Sequence, residues 1–117
     1  MSKFQPNFKE HRVVSKSLRD FARNQECTLQ MPWCNHDTET TVHCHVRKYG
    51  LTGLGQKPTD IHGFHACSEC HRRESEAGDD DILRAVFITQ IRLIQEGIIK
   101  VKGDAIKKFK QIREKIK

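Results

Sequence analysis

The sequence predicts an α+β domain in which a β-hairpin and a helix lie beside a cluster of metal-binding cysteines. A β-branched stretch at residues 40–46 is typical of a strand. Later in the chain, Cys67-Ser68-Glu69-Cys70-His71 has the Cys-x-x-Cys spacing of a metal ligand pair. A helical apolar pattern then follows three consecutive aspartates. Together these features predict a short hairpin that feeds a helix at a metal site.

The N-terminal elements are short. Residues 1–16 have no hydrophobic period and are expected to form a flexible arm. Ser17 is expected to cap a helix over residues 18–24. After the strand at residues 40–46, the glycines and proline of residues 48–60 predict a long loop. Loops of this length in small domains usually carry function.

The second half begins with a strand predicted over residues 61–66 and a short helix over residues 71–76. The aspartates at 79–81 favour the start of a longer helix, because negative charge there suits the helix dipole, and Gly97 ends it. Residues 98–102 are expected to form a short strand or an extended connector. The longer helix is expected to bury one stripe, made of Leu83, Val86, Phe87, Gln90, Ile91 and Ile94.

Length and composition predict one small domain with a thin core. The chain has 117 residues, of which 36% are hydrophobic and 31% charged, so an additional stabilising element, such as a bound metal ion, is expected. No apolar run is long enough to cross a membrane, and the N-terminus lacks the apolar core of a signal peptide. We therefore expect a cytoplasmic protein, whose thiols stay reduced.

The positive charge is concentrated at the C-terminus. Residues 98–117 contain eight bases and two acids, which equals the net charge of +6 of the whole chain. We therefore assign residues 104–117 to a separate basic helix. The predicted chain then has three regions: the arm over residues 1–16, a zinc-stabilised domain over residues 17–103 and this helix. Such a helix favours an anionic partner, although it could also be a solvated surface that keeps the protein soluble. The predicted DNA-binding side chains are Lys107, Lys108, Lys110 and Arg113.

The five cysteines are an odd number, which favours metal binding over disulfides. Zn²⁺ prefers four soft ligands in a tetrahedron, and Cys27, Cys34, Cys67 and Cys70 could supply them from two distant pairs. A structural Zn²⁺ there would connect the N-terminal segment to the hairpin and helix. The alternative is four buried thiols packed as small apolar side chains. Cys44 fits an ordinary buried thiol best.

Five of the seven histidines fall close together, at His43, His45, His62, His65 and His71. A neutral imidazole is a good general base near pH 7. Hydrolysis of a phosphodiester also needs a divalent cation that stabilises the charge on the phosphate and the leaving oxygen. A hairpin that faces a helix can present a base from one element and a cation ligand from the other.

The motifs together resemble a known family. They are Val42-His43-Cys44-His45-Val46-Arg47, then Gly53-x-Gly55-x-Lys57-Pro58-x-Asp60, then Ala66-Cys67-Ser68-x-Cys70-His71. This set is similar to small nucleases of lambdoid phages and prophages, which belong to the HNH, or His-Me finger, superfamily. The resemblance covers about residues 25–102. It implies a ββα-metal core with flanking helices, and metal-dependent endonuclease activity on DNA.

The resemblance also implies roles for single residues. His45 matches the general base, and His71 matches a ligand of the catalytic cation, which is expected to be Mg²⁺ with Mn²⁺ or Ni²⁺ as alternatives. Lys57 and Asp60 match the loop motif, where they would contact a phosphate or position a neighbour.

This chain departs from the family pattern at two positions. Cys44 stands where relatives have Ala and where wider HNH enzymes often have a metal ligand, and a thiolate is a poor ligand for Mg²⁺. Ser75 stands where relatives tend to carry an Asp as a second cation ligand. Glu74, three residues after His71 on a helix, would take that role, with Glu76 or neither glutamate as the alternatives.

Two other functions stay open. The chain could be a zinc-stabilised nucleic-acid-binding module without catalysis, which the loss of Asp at Ser75 favours. It could also be a zinc-stabilised partner of a host recombination or repair protein. The sequence leaves the preferred DNA structure and the oligomeric state undetermined.

Overall fold

A computed structural model describes residues 12–47 and 58–102 of the chain. Within these ranges it has the predicted α+β class, with two strands and three α-helices. The elements are α1 (Lys16–Asp20), β1 (Val42–His45), β2 (Gly63–Ala66), α2 (Ser68–Arg72) and α3 (Asp79–Gln95). Single 3₁₀ turns lie at Thr38–Thr40 and Glu74–Glu76. None of the described helices has the length and apolar character needed to cross a membrane.

The two strands form the predicted antiparallel hairpin, in which Cys44 is opposite Phe64 and His45 is opposite Gly63. Phe64 is 1% exposed and Cys44 is 3% exposed, so this pair forms part of the core. Gly63 is required here, because a Cβ at this position would lie 2.3 Å from Nε2 of His43. The glycine therefore lets the ring of His43 lie directly over the second strand.

Helix α1 begins two residues earlier than predicted. Ser15, not Ser17, is its N-cap: the Ser15 hydroxyl accepts from the N–H of Leu18 at 3.2 Å, and the Ser15 backbone is extended. The helix ends at Asp20, before the expected residue 24. Ser15 lies within the predicted arm, and its own N–H donates to Asp60 at 2.6 Å. The cap is therefore set by a contact distant in sequence.

Helix α2 also starts earlier than predicted, at Ser68 rather than at His71. The reason is the side chain of Cys67, which caps the helix by accepting from the N–H of Cys70 at 3.4 Å. After Arg72 the chain tightens into the 3₁₀ turn at Glu74–Glu76. The Cys-x-x-Cys segment therefore forms the first turn of a helix.

Helix α3 has the predicted position, and it ends as predicted near Gly97, which has a φ of 74°. Its predicted buried stripe is wrong, however. Val86 is buried, but Leu83, Phe87 and Ile91 are exposed, and Gln90 and Ile94 are half-buried. The buried face instead consists of Ile82, Ala85, Val86, Thr89 and Leu93.

The small residues of α3 explain why its buried face differs from the predicted stripe. Thr89 is fully buried, and its hydroxyl accepts from the backbone N–H of His65 in β2 at 3.1 Å. Ala85 is also fully buried. Small side chains let the helix approach the strand closely, and the hydrogen bond sets its orientation about its own axis. Residues 98–102 form a connector and not a strand.

Candidate metal centre and histidine site

The four cysteines predicted to bind zinc converge at one point. The sulfur atoms of Cys27, Cys34, Cys67 and Cys70 all lie within 4.8 Å of one another, and those of Cys34 and Cys67 are 3.7 Å apart. A tetrahedral zinc with Zn–S bonds of about 2.3 Å separates its sulfurs by about 3.8 Å. All five cysteines of the chain are free thiols, so none is bound in a disulfide. The cluster therefore fits a zinc ion in both donor type and spacing.

Two similar turns present these sulfurs. The N–H of Gln30 donates to the sulfur of Cys27 at 3.4 Å, and the N–H of Cys70 donates to the sulfur of Cys67 at 3.4 Å. In each turn the donor comes three residues after the sulfur. These dipoles favour negative charge on sulfur, which is the form that binds a metal.

The electrostatics of the cluster favour a bound dication. Burial raises the pKa of Cys67, but N–H donation from Cys70 and Asn35 outweighs burial and lowers that pKa to about 7. Burial raises the pKa of Cys34 to about 11 and raises the pKa of Cys70 further. One thiolate therefore forms readily near neutral pH, whereas others need a positive charge at the centre. A Zn²⁺ ion would supply that charge.

A second group of side chains is centred on the end of strand β1. His45 Nε2 lies 2.8 Å from Oδ1 of Asp60. The other carboxylate oxygen of Asp60, Oδ2, accepts from the N–H of Ser15 at 2.6 Å and from Nη1 of Arg19 at 2.9 Å. Asp60 is 3% exposed. The carboxylate is therefore clamped on both oxygens, and it fixes the orientation of the His45 ring.

These contacts set the charge of Asp60. Burial raises its pKa, but N–H donation from Ser15, the hydrogen bond to His45 and the charge of Arg19 outweigh burial, so the pKa falls below its ordinary value. Asp60 is therefore a carboxylate at neutral pH, and His45 donates to it from Nε2. The lone pair of neutral His45 is then on Nδ1, which is the atom able to accept a proton.

His71 lies on α2, at the other side of strand β1. Its Nδ1 is 3.1 Å from the sulfur of Cys44 and 3.7 Å from Oε1 of Glu74. The side chains of His71 and Glu74 are 50% and 37% exposed, so both can meet a ligand from solution. Glu76, the alternative to Glu74, instead makes two hydrogen bonds with Arg73, at 2.6 and 2.9 Å. An imidazole nitrogen and a carboxylate oxygen at this spacing suit a divalent cation.

One member of each group lines a common cleft. It has a volume of about 200 Å³, and both His45 and Glu74 line it. Ser75 lines it as well, together with Arg47, and the floor is formed by the core side chains Phe64 and Ile82. Glu74 is the link between the groups, because it lies beside His71 and faces the same cleft as His45.

The other histidines of the hairpin have structural environments. His43 lies on the same face as His45, with ring centroids 5.3 Å apart, and its Nε2 donates to the backbone oxygen of Asp60 at 2.8 Å. His65 is fully buried, and its Nδ1 accepts from Arg92 at 2.8 Å. Burial, together with the charge of Arg92, lowers the pKa of His65 to about 3, so this ring is neutral. His65 therefore lacks the exposure expected of a base or a ligand, and the Nε2 of His43 is held by the backbone of Asp60.

Several predicted residues lie outside the described ranges. These are Lys57 in the loop and the basic side chains of the C-terminal segment, Lys107, Lys108, Lys110 and Arg113. In contrast, Arg19 and Ser15 are site residues that the sequence did not predict. Arg19 is 41 positions from Asp60, and no local pattern indicates that contact. A serine at position 15 is a local sign of a helix N-cap, but Ser17 gives the same sign two residues later.

Comparison with known proteins identifies similar chains. A family model described as "Putative nuclease YbcO" matches residues 16–97. Two proteins described as putative nuclease YbcO, from Escherichia coli (strain K12) and from Enterobacteria phage 82, are each 40% identical over 92 residues, which covers 71% of this chain and 96% of theirs. A solved structure, described as a putative bacteriophage protein from E. coli K-12 MG1655, is 32% identical with a TM-score of 0.54. The match covers 69% of this chain and all of that one.

Proposed function

We propose that this chain, which belongs to the family described as "Putative nuclease YbcO", hydrolyses phosphodiester bonds in DNA with the help of a divalent cation. The observation that carries the proposal is the His45–Asp60 pair at 2.8 Å, of which His45 lines the same cleft as Glu74. A nuclease needs a base held in one tautomer next to a site for a cation, and this arrangement supplies both. We assign the hairpin and α2 to the ββα-metal core of the HNH superfamily.

In this mechanism His45 is the general base. Its Nδ1 accepts a proton from the attacking water, and the resulting imidazolium is stabilised by Asp60 through Nε2–H. Asp60 itself keeps its charge, because Arg19 and Ser15 hold its second oxygen. A preorganised carboxylate of this kind lowers the barrier because it does not have to reorient as the charge forms.

His71 and Glu74 would hold the catalytic cation. A bound divalent ion neutralises the charge that develops on the phosphate and on the leaving oxygen. Burial raises the pKa of the Cys44 thiol, so its sulfur, 3.1 Å from His71 Nδ1, stays protonated and would add no ligand to this site. Mg²⁺ is the first cation to test, and Mn²⁺ and Ni²⁺ suit the nitrogen donor of His71 better.

The zinc cluster would serve as the scaffold. Cys67 and Cys70 begin the helix that carries His71, and Cys27 and Cys34 come from the segment before the hairpin. A structural Zn²⁺ would therefore fix the start of α2 against the rest of the domain. We place the protein in the cytoplasm of a bacterial host cell, where these thiols stay reduced.

The test is nicking of supercoiled plasmid in Mg²⁺, Mn²⁺ or Ni²⁺. The wild type is expected to nick, and His45→Ala is expected to lose that activity while it keeps its fold and its zinc. Glu74→Gln and Glu76→Gln form a matched pair for the cation site. Glu74→Gln should raise the cation concentration needed for half-maximal nicking, whereas Glu76→Gln should leave that concentration unchanged.

Other outcomes favour the alternatives. DNA binding without cleavage under any of the three cations would identify a zinc-stabilised nucleic-acid-binding module, for which Ser75 in the cleft wall is the supporting observation. The absence of both binding and cleavage would favour a partner of a host recombination or repair protein. Equal nicking by wild type and His45→Ala would remove His45 from the mechanism.

A further inference from the structure

Helix α3 leaves an apolar stripe in water. Leu83, Phe87 and Ile91 are 38%, 59% and 44% exposed, and they follow one another at four-residue spacing on the same side of the helix. We call these three residues the α3 stripe. It borders the buried face of α3, and half-buried Ile94 extends it toward the end of the helix. A phenylalanine in the middle of a continuous apolar stripe is a surface that another element would normally cover.

A cap at the end of α3 stops the helix and redirects the chain. The N–H of Ile98 donates to the oxygen of Leu93 at 2.9 Å, and the N–H of Gly97 donates to the oxygen of Ile94 at 3.1 Å. With Gly97 at a φ of 74°, this is a Schellman cap, which ends the helix and redirects the chain after it. Asp104, the next helix-capping residue in the sequence, follows after residues 96–103. A connection of this length is typical of two antiparallel helices.

The sequence after this cap carries a matching apolar face. We call residues 104–117 the tail. With Asp104 as a cap, helical spacing brings its apolar residues to one side, and these are Ile106, Phe109, Ile112 and Ile116. From the first to the last of them a helix rises about 15 Å, and from Leu83 to Ile94 it rises about 16 Å. The two apolar surfaces therefore have the same length.

Charge favours one direction of pairing. The first turn of α3 carries Asp79, Asp80 and Asp81. An antiparallel tail would bring its last residues, which include Lys115 and Lys117, to that end of α3. Opposite charges would then meet, and the negative charges would also stay at the helix N-terminus, where the dipole favours them.

We propose that the tail folds back antiparallel on α3 and covers the α3 stripe with its apolar face. Lys107, Lys108 and Lys110 then point away from α3, so the basic face is held on the domain in one orientation. The docking itself does not depend on nuclease activity. Its consequence for DNA does rest on the proposed function: a fixed basic face would contact the phosphate backbone beside the cleft.

A double-mutant cycle on the full chain tests the contact. In a stripe that stays in water, Phe87→Ala would change the unfolding temperature little, because the ring is already 59% exposed. If the tail covers it, Phe87→Ala and Phe109→Ala should each lower the unfolding temperature by roughly 4 to 8 °C. The unfolding temperature of the double variant should then fall by no more than the larger of the two single effects, because both changes remove the same contact.

The matched control is Ile88→Ala. Ile88 is 42% exposed on the same helix, and its side chain projects about 100° around the helix axis from that of Phe87. Its effect should add to that of Phe109→Ala. Additive effects of Phe87→Ala and Phe109→Ala, or no effect of Phe109→Ala, would overturn the proposal.

Molar mass in solution separates the tail from a second copy of the chain as the occupant. Light scattering is expected to give a monomer at all concentrations, both for the wild type and for Phe87→Ala. A dimer that Phe87→Ala dissociates, and that survives deletion of residues 104–117, would overturn the proposal in favour of a second copy. If the double-mutant cycle gives the expected coupling but the protein does not nick DNA, that result would count only against the proposed function.

Discussion

Replacing Asp60 with Asn tests how the base is held, because the two side chains have the same shape. Oδ2 of Asp60 accepts from two donors, Ser15 N–H and Arg19 Nη1. In Asp60→Asn the amide oxygen must stay at that position, since the NH₂ group has no lone pair for these donors. The NH₂ group then faces Nε2 of His45. That nitrogen has to become an acceptor, so the proton of the ring moves to Nδ1.

The expected loss can be bounded from the geometry. Two unit charges 2.8 Å apart attract by about 6 kcal/mol at an effective dielectric constant of about 20, and by about 1.5 kcal/mol in water. The side chains of His45 and Asp60 are 20% and 4% exposed, so the site lies between these limits, and Arg19 partly neutralises Asp60. We take about 3 kcal/mol, which corresponds to a decrease of roughly 100-fold in the rate of the chemical step.

The assay has two readouts. The first is the nicking rate at saturating cation, which should fall at least roughly 100-fold for Asp60→Asn, because the Coulomb energy is lost and Nδ1 of His45 no longer carries a lone pair. The second is the ¹⁵N chemical shift of the His45 ring, which should show the proton on Nε2 in the wild type and on Nδ1 in the variant. A folded, zinc-loaded Asp60→Asn that nicks at the wild-type rate, or that keeps the wild-type tautomer, would refute the reasoning.

Four other predictions address the rest of the molecule. Cys70→Ser should lose its zinc by metal analysis and unfold at a much lower temperature, because structural zinc contributes about 10 kcal/mol to folding; Cys44→Ala should keep one zinc per chain. Arg19→Met should weaken the clamp on Asp60 and lower the nicking rate without loss of zinc, and an unchanged rate would contradict that role. The pKa of His65 is about 3 in the folded protein, below the ordinary 6.5 that applies to the unfolded chain. Below about pH 6.5 the unfolded chain therefore binds a proton that the folded protein does not, so the free energy of unfolding falls with pH, by about 2 kcal/mol at about pH 5. His65→Gln should therefore show a flatter decline of stability from about pH 7 to about pH 5 in denaturant titrations, and an equal slope would exclude His65 as the cause. Deletion of residues 104–117 should flatten the dependence of log K for DNA on log salt by about 0.9 for each phosphate that the tail neutralises, and an unchanged slope would mean that the tail does not bind the DNA backbone.

The alternation of the hairpin explains why its side chains divide between two tasks. Cys44 points into the core and reaches His71, whereas His43 and His45 point to the opposite face and reach Asp60. Residues that adjoin in sequence therefore serve different groups. A shift of one residue in the register would exchange these faces, so the pairing of His45 with Gly63 is as important to the site as the histidine itself.

Local signals predicted most of the secondary structure. The hairpin, the long helix and its glycine end were all predicted, because β-branched runs, apolar periodicity and Gly97 act over a few residues. The start of α1 was misplaced by two residues, because Ser15 and Ser17 are equivalent caps until Asp60 binds the N–H of Ser15. The predicted buried stripe of α3 was also wrong, because periodicity gives an apolar arc but not its centre. The hydrogen bond of Thr89 to the strand gives the centre.

By itself, the sequence determined which residue types are present for chemistry: four thiols in two pairs, a histidine on a strand and another after a Cys-x-x-Cys. Only the tertiary structure decided which of them meet. It brought four sulfurs within 4.8 Å, paired His45 with Asp60, and turned Glu74 rather than Glu76 toward His71. The physical reason is the distance along the chain over which each effect acts. Propensity and spacing act along the chain, whereas a carboxylate becomes a clamp only when donors 41 and 45 residues away pack against it.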